Sequence, residues 1–286
     1  MSEWLDGYWW SSDDVRLHYR DYPGRPDRPV ILCVPGLTRN ARDFAAVAER
    51  LAGEWRVICV DLRGRGESGY AKNPASYVPL VYLEDIQSLI AHLALGRVIV
   101  FGTSLGGLMA MLLGTAGGAT LVGALLNDIG PVIEPEGIAH IGNYVGRQQS
   151  WPTWLHAANH FRVLHGAYFT TYQLADWVAL AKRLCRLTTS GRIVLDYDMK
   201  IAEPFKRTDA AEIDLWPSFD AIAHVPLLIV RGALSTILSD ATAQAMAARA
   251  ADVELLVVPE TGHVPTLTED GCPAAIDRLL ARVGPA

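Results

Sequence analysis

The chain has 286 residues, 50% of them hydrophobic and 20% charged, with a formal net charge of −6. This composition can bury a large core, which excludes an intrinsically disordered chain. The acidic balance and the lack of a basic run argue against a nucleic acid partner. The N-terminus lacks the basic and apolar regions of a secretory signal, so we expect a cytoplasmic protein. Four scattered cysteines without metal-ligand spacing are expected to be reduced thiols, and neither a metal nor a cofactor is expected.

Short, apolar, β-branched runs recur along the chain with helical patterns between them. The runs predict strands over residues 29–34, 55–60, 97–101, 121–126, 226–230 and 253–258. Apolar residues at three- and four-residue spacing predict helices over residues 41–51, 81–95, 105–115 and 241–250. This alternation is typical of a mostly parallel sheet flanked by helices, which is an α/β fold.

Two further stretches bear on the predicted sheet. Residues 8–10 and 16–22 are predicted to form an antiparallel hairpin at its edge, which gives about eight strands in all. Residues 98–127 carry no charge and are longer than the roughly 20 apolar residues that cross a bilayer. Seven glycines interrupt them. We therefore predict a buried strand, helix and strand here, and no membrane partner.

The alternation of strands and helices stops at residue 131 and resumes after residue 217. The segment between has no clear strand and many aromatic residues, and it is too long for a structureless loop. We predict that residues 131–217 form a helical cap inserted after the sixth strand. Residues 1–130 and 218–286 would then form the core domain. Most of the cap aromatics are expected to pack within the cap, and some could line a pocket.

One motif has the arrangement of a nucleophile elbow. Gly102-Thr103-Ser104-Leu105-Gly106 follows a predicted strand and precedes a predicted helix. Glycines on both sides of a serine allow a strained turn that exposes its hydroxyl. Ser104 is therefore the candidate nucleophile. The alternative is a glycine-rich packing turn in which the serine only caps the helix.

A serine nucleophile needs a general base and donors for the oxyanion. His263 follows the predicted strand at 253–258, beyond the edge of the sheet where a base is expected, and the other seven histidines fit less well. The backbone N–H groups of Leu105 and of Leu37, in the loop after residues 29–34, are the candidate oxyanion donors.

Together these motifs resemble those of the α/β-hydrolase superfamily. The resemblance rests on Pro35-Gly36, on residues 61–68, on the elbow and on Gly262-His263, and it covers the core but not the cap. Epoxide hydrolases and haloalkane dehalogenases of this fold carry an aspartate at the elbow, so Ser104 argues against both activities. The resemblance implies a cofactor-independent serine hydrolase of a small ester, thioester or lactone. Its expected partner is a small-molecule acyl substrate, which would form an acyl-enzyme on Ser104.

The expected acid is where the chain departs from the family. In the family the acid usually follows the seventh strand, where this sequence has Thr236. Some members carry it after the sixth strand instead, which matches Asp128. Asp128 could also merely cap the sheet edge, and Asp240 is the next candidate although helix capping explains it. We predict Asp128 as the acid.

Two charged segments near the predicted site have less specific interpretations. Residues 61–68 could be an anion site, but a structural loop is favoured. Arg39, Asn40 and Arg42 follow the oxyanion loop closely enough for one of them to contact a substrate carboxylate, but solvation is favoured.

Two alternative functions stay open. With Thr236 in place of the acid, the chain could be a catalytically weak ligand-binding or receptor-like protein on a hydrolase scaffold. Carbon–carbon bond hydrolases of the same fold present a similar triad. A contact between Asp128 and the His263 ring would separate an enzyme from a binding protein. Monomer and homodimer are both open.

Overall fold

The structure is a computed structural model that describes residues 4–117, 120–204 and 214–284. Its strands are β1 (Leu5–Trp10), β2 (Arg16–Tyr22), β3 (Val30–Val34), β4 (Val57–Asp61), β5 (Arg97–Thr103), β6 (Thr120–Asn127), β7 (Ser150–Trp151), β8 (Cys185–Leu187), β9 (Ile193–Leu195), β10 (Leu227–Gly232) and β11 (Val253–Val258). Its α-helices are α1 (Ala45–Leu51), α2 (Pro79–His92), α3 (Leu105–Ala116), α4 (Pro135–Gly142), α5 (Trp154–His165), α6 (Leu174–Leu184), α7 (Trp216–Asp220), α8 (Asp240–Arg249) and α9 (Cys272–Val283).

Eight of these strands form one sheet in the order β1-β2-β4-β3-β5-β6-β10-β11. Six neighbouring strands of this order, β4, β3, β5, β6, β10 and β11, pair in parallel. Strands β1 and β2 add an antiparallel edge next to β4. The predicted α/β fold, with its eight strands and its edge hairpin, is confirmed. Because the parallel strands run the same way, their carboxyl ends meet at one edge of the sheet, where ligands bind in such folds.

Both faces of the sheet are buried, which explains why its strands are continuously apolar. Successive residues of a strand point to opposite faces. In β3, Leu32 and Val34 join a core with α2, α3 and α8, whereas Ile31 and Cys33 join a second core with α1 and α9. The uncharged stretch 98–127 contains β5, α3 and β6, as predicted. None of the helices in the described ranges is both long and apolar enough to cross a membrane.

The segment between β6 and β10 has its own hydrophobic cluster, formed by aromatic and aliphatic residues of α5, α6 and their neighbours. The expectation that this segment has no strands is wrong, because β7, β8 and β9 form a small antiparallel sheet there. These strands have only two or three residues each, too few to show an alternating pattern. The predicted end of the cap at residue 217 falls inside α7.

Candidate active site

Ser104 lies at a sharp turn between β5 and α3. Its φ of 51° and ψ of −116° are unusual for a residue with a side chain, and such backbone strain concentrates at functional sites. The turn needs glycine at two positions. A Cβ at Gly102 would collide with the backbone of Gly106, and a Cβ at Gly106 would collide with the carbonyl of Val34. The motif therefore packs α3 tightly against β3 and β5 and exposes the serine at their edge.

The structure brings Ser104, His263 and Asp128 together in one hydrogen-bonded chain. Ser104 Oγ is 2.9 Å from His263 Nε2, and His263 Nδ1 is 2.7 Å from Asp128 Oδ2. A carboxylate only accepts hydrogen bonds, so Nδ1 carries the proton and Nε2 is free to accept one from the serine. This is the arrangement in which an imidazole can act as a general base toward a hydroxyl.

Asp128 is completely buried, and its carboxylate is held by three donors. Gly232 N–H donates to Oδ1 at 2.9 Å, and the Ser235 hydroxyl donates to Oδ2 at 2.6 Å beside the histidine. Such donors compensate for the cost of burying a carboxylate. Ser235 immediately precedes Thr236, so the turn after β10 supports an acid that comes from β6.

The other two acid candidates lie apart from this chain of hydrogen bonds. Thr236 has no hydrogen bond to His263 within the described ranges, although both border a small cavity of about 20 Å³. Asp240 begins α8 directly after its N-cap, Ser239, and is exposed. The alternative that Asp240 caps the helix is therefore off by one residue, because Ser239 is the cap and Asp240 lies in the first turn, where a negative charge is favourable.

The two candidate oxyanion donors flank the serine. Leu105 is the first residue of α3, and Leu37 follows Gly36, where an added Cβ would lie 3.5 Å from Ser104 Cβ. Over the described part of the chain, neither the Leu37 N–H nor the Leu105 N–H donates a backbone hydrogen bond. Both are therefore available to an oxygen bound at Ser104.

Arg65 supports the oxyanion loop, a role that the sequence analysis missed. It is fully buried, and its Nε donates to the Leu37 carbonyl at 2.8 Å. Its other two groups donate to the Arg63 carbonyl and to the Tyr82 hydroxyl. The carbonyl and the candidate donor N–H belong to the same residue, Leu37, so this bond restrains the loop next to the donor. The interpretation of residues 61–68 as a structural loop agrees with these contacts.

Asn127, the last residue of β6, connects the segments that carry Ser104, Asp128 and His263. Its carbonyl accepts from Ser104 N at 3.0 Å. Its side-chain amide donates to Thr103 Oγ1 at 3.1 Å and to the Pro265 carbonyl, just after His263, at 2.9 Å. Apart from its place at the end of a strand, no sequence pattern singles out Asn127.

A cavity of about 210 Å³ opens beside Ser104 and His263. Most of its wall comes from the segment between β6 and β10, including Tyr144, Phe161 and Phe169. Phe161 and Phe169 also belong to the hydrophobic cluster of that segment, in which Trp177 is buried without lining the cavity. Some of these aromatics therefore both pack within the cluster and line the cavity. Nowhere in the described ranges do three histidine, cysteine or acidic side chains gather as a possible metal site.

His165 is a second imidazole in the cavity wall. Burial lowers its pKa to about 3, and the positive charge of Arg39 acts in the same direction. It is therefore neutral at physiological pH and contributes a polar but uncharged surface. Among the described residues, none gives His165 an acidic partner comparable to the one that Asp128 gives His263.

Comparisons with known proteins agree with this architecture. A sequence model of the alpha/beta hydrolase family matches residues 31–276. The crystal structure of an alpha/beta hydrolase from Novosphingobium aromaticivorans DSM 12444 is 50% identical, with a TM-score of 0.95 and coverage of 99% of both chains. The chain is also similar to 3-hydroxybutyrate-oligomer hydrolase from Cupriavidus necator, at 36% identity over 89% of both chains.

A more distant relative is 2-(acetamidomethylene)succinate hydrolase from Mesorhizobium japonicum, which is 27% identical over 82% of this chain and 81% of its own. All these relatives are named as hydrolases, which supports hydrolase activity here. By its sequence match and its fold, the chain belongs to the alpha/beta hydrolase family.

Proposed function

We propose that the protein is a cofactor-independent serine hydrolase that cleaves small esters through an acyl-enzyme on Ser104. The observation that carries the proposal is the chain of hydrogen bonds from Ser104 through His263 to the buried Asp128. Each member has the chemistry of its role: a hydroxyl as nucleophile, an imidazole as base and a carboxylate as orienting acid.

In the first half of the reaction, Ser104 Oγ attacks the ester carbonyl while His263 Nε2 takes the hydroxyl proton. The carboxylate of Asp128 holds the imidazole in the required tautomer and stabilises the imidazolium that forms. The carbonyl oxygen becomes negatively charged and accepts hydrogen bonds from the N–H groups of Leu37 and Leu105. Collapse of this intermediate breaks the ester bond, and the imidazolium gives its proton to the leaving alkoxide.

In the second half, water takes the place of the alcohol. His263 removes a proton from the water, whose oxygen attacks the acyl carbon bound to Ser104 Oγ. The same two N–H groups hold the second oxyanion. The proton then returns to Ser104, which releases the carboxylic acid and restores the enzyme.

A short ester of a hydroxy acid suits the cavity. The cavity volume of about 210 Å³ is below the roughly 300–1,000 Å³ of pockets that hold drug-sized ligands. The relative from Cupriavidus necator is named for hydrolysing 3-hydroxybutyrate oligomers, which are oligoesters. We therefore propose short hydroxyacyl oligoesters as the substrate class.

The position of Asp128 counts against the alternative of a catalytically weak binding protein. That alternative rested on Thr236, which cannot carry a charge. The 2.7 Å contact between Asp128 and His263 supplies the base with a carboxylate from a different strand.

Labelling with a small fluorophosphonate tests the serine mechanism. We expect one covalent adduct by intact mass on the unmodified chain and none on Ser104→Ala, because the reagent captures only an activated serine. The control is Ser12→Ala, which removes an exposed hydroxyl in the β1–β2 turn and should label normally. An unlabelled wild-type chain, or an adduct that persists in Ser104→Ala, would contradict the proposal.

The contact between Arg65 and the Leu37 carbonyl predicts a rate effect without a binding effect. We expect Arg65→Lys to lower kcat about tenfold with little change in KM, less than the about 10²-fold or greater loss for removing an oxyanion donor itself. The matched control is Tyr82→Phe, which removes another partner of Arg65 but leaves the contact to Leu37. Steady-state kinetics on a 4-nitrophenyl ester measure both. Equal losses in the two variants would show that Arg65 acts only through general stability.

A further inference from the structure

The charged side chains that line the cavity beside Ser104 are basic, although the whole chain has a net charge of −6. Among the described residues that line it, the side chains with a permanent charge are Arg39 and Arg147, and none is an aspartate or glutamate. Charge of one sign in a cleft with apolar walls raises the local concentration of the opposite ion. A lining of this kind favours an anion over a cation.

Arg39 is placed next to the nucleophile. A Cβ at Gly36 would lie 3.5 Å from Arg39 Cδ and 3.5 Å from Ser104 Cβ, so the arginine side chain and the serine border the same glycine. Arg147 lies farther along the chain, after α4, and is exposed. Of the two arginines, Arg39 is the one held against the oxyanion loop.

The Arg39 guanidinium is held by Asp43 through one of its nitrogen atoms. Nη1 donates to both carboxylate oxygens of Asp43 at 3.0 Å. Within the described parts of the chain, Nε and Nη2 donate no hydrogen bond, and the side chain is 16% exposed. Nε–H and Nη2–H form the edge of a guanidinium that binds a carboxylate through two parallel hydrogen bonds. Asp43 thus fixes the Arg39 side chain, and the Nε–Nη2 edge of the guanidinium has no hydrogen-bond partner among the described residues.

Asp43 does not neutralise the positive charge around Arg39, because it is shared with Arg183 at 3.5 Å. A neighbouring carboxylate, Asp196, is shared in the same way by Arg42 at 2.6 Å and Arg186 at 3.3 Å. Within this group of six side chains, the four guanidinium groups outnumber the two carboxylates. Burial is the main reason that the pKa of His165 is lowered, and the positive charge of Arg39 acts in the same direction.

We propose that the substrate is an ester with a free carboxylate, and that Arg39 binds this carboxylate through Nε and Nη2 while the ester carbonyl lies at Ser104. This inference rests on the proposed ester hydrolysis and narrows its substrate class to anions. A carboxylate only a few bonds from the scissile carbonyl fits the closeness of Arg39 to Ser104. The ester of one β-hydroxy acid with another has this spacing on its alcohol side. Arg39 is then a specificity-determining residue rather than a solvated one.

Equilibrium binding to a Ser104→Ala chain, which cannot consume the ligand, tests the inference. The probes are the linear dimer of 3-hydroxybutyrate and the same dimer with its carboxylate converted to a primary amide, titrated in a calorimeter. We expect the acid to bind at least about tenfold more tightly than the amide, as a charge-assisted pair of hydrogen bonds gives. In Ser104→Ala with Arg39→Gln the two Kd values should become equal. Arg39→Lys, which keeps the charge but loses the fork, should retain part of the preference.

Two controls separate this role from a structural one. Arg56→Gln breaks a comparable two-bond pair with Asp21, away from the cavity, and should leave the Kd ratio unchanged. Arg147→Gln should also retain the preference for the acid. Equal binding of acid and amide before Arg39 is changed, or a preference that disappears with Arg147→Gln and not with Arg39→Gln, would overturn the inference.

Turnover by the unmodified chain is measured separately with 4-nitrophenyl butyrate, a neutral ester, and with the dimer. If neither ester is hydrolysed, the proposed function fails. The ratio of the Kd values for the acid and the amide still shows whether Arg39 selects a carboxylate. Failure of the substrate inference and failure of the proposed function therefore give different results.

Discussion

Replacing Asp128 by asparagine should lower kcat by about 10⁴-fold, the typical cost of losing the acid of a serine triad. The amide cannot stabilise the imidazolium of His263. Its NH2 group would also face N–H and O–H donors, because Gly232 and Ser235 both donate to the present carboxylate. We expect KM to change little, since Asp128 is buried behind the histidine and does not line the cavity. Initial rates with 4-nitrophenyl butyrate measure both constants.

The other acid candidates provide the controls. Asp240→Asn, at the exposed start of α8, should leave kcat within about twofold, as surface substitutions away from a site usually do. Thr236→Asp should give no large gain, because His263 Nδ1 already has a carboxylate partner. If Asp128→Asn keeps more than a tenth of the activity, or if Thr236→Asp raises it strongly, Asp128 is not the acid on which turnover depends.

The positions of Ser104 and His263 could be predicted because each follows a parallel strand. The carboxyl ends of such strands meet at one edge, so residues far apart in sequence converge there. The choice of acid was harder, because β6 and β10 are neighbours and both end beside His263. Only the structure shows that Asp128 N bonds to the Val230 carbonyl at 2.7 Å and that the carboxylate then points to the histidine.

Other features were missed for different physical reasons. Helix α9 has buried residues at helical spacing, namely Cys272, Ala275, Ile276, Leu279 and Leu280, so its pattern was present and would have predicted it. The strands β7 to β9 are too short for any periodicity. The contacts of Arg39 and Arg65 depend on which edge of a guanidinium faces a carbonyl or a carboxylate. Sequence spacing carries no information about that orientation.

The largest effect on stability is expected at Arg63, which lies on the core side of the loop at 61–68. Its side chain is 1% exposed and makes two 2.7 Å hydrogen bonds to Asp85, which is 3% exposed. Arg63→Met leaves this carboxylate buried without its partner, which typically costs about 3–5 kcal/mol of unfolding free energy. Denaturant unfolding at pH 7, followed by circular dichroism, measures the loss. Arg278→Met, at an exposed pair with Glu254, is the control and should cost less than about 1 kcal/mol.

The pH dependence identifies the cause of the Arg63→Met loss. Burial raises the pKa of Asp85 even with Arg63 beside it, and the pKa should rise further without the arginine. A group whose pKa is raised in the folded state favours folding at low pH and loses that contribution as the pH rises through its folded value. The loss in Arg63→Met should therefore be largest at pH 7 and shrink in mild acid. Adding Asp85→Leu should recover the part that comes from the buried carboxylate, because an apolar pair can replace a buried ion pair. The hydrogen bonds of Arg63 to Asp13, which is half-exposed, are lost in both variants. A loss that is independent of pH and is not recovered would mean that packing, rather than the unpaired carboxylate, explains it.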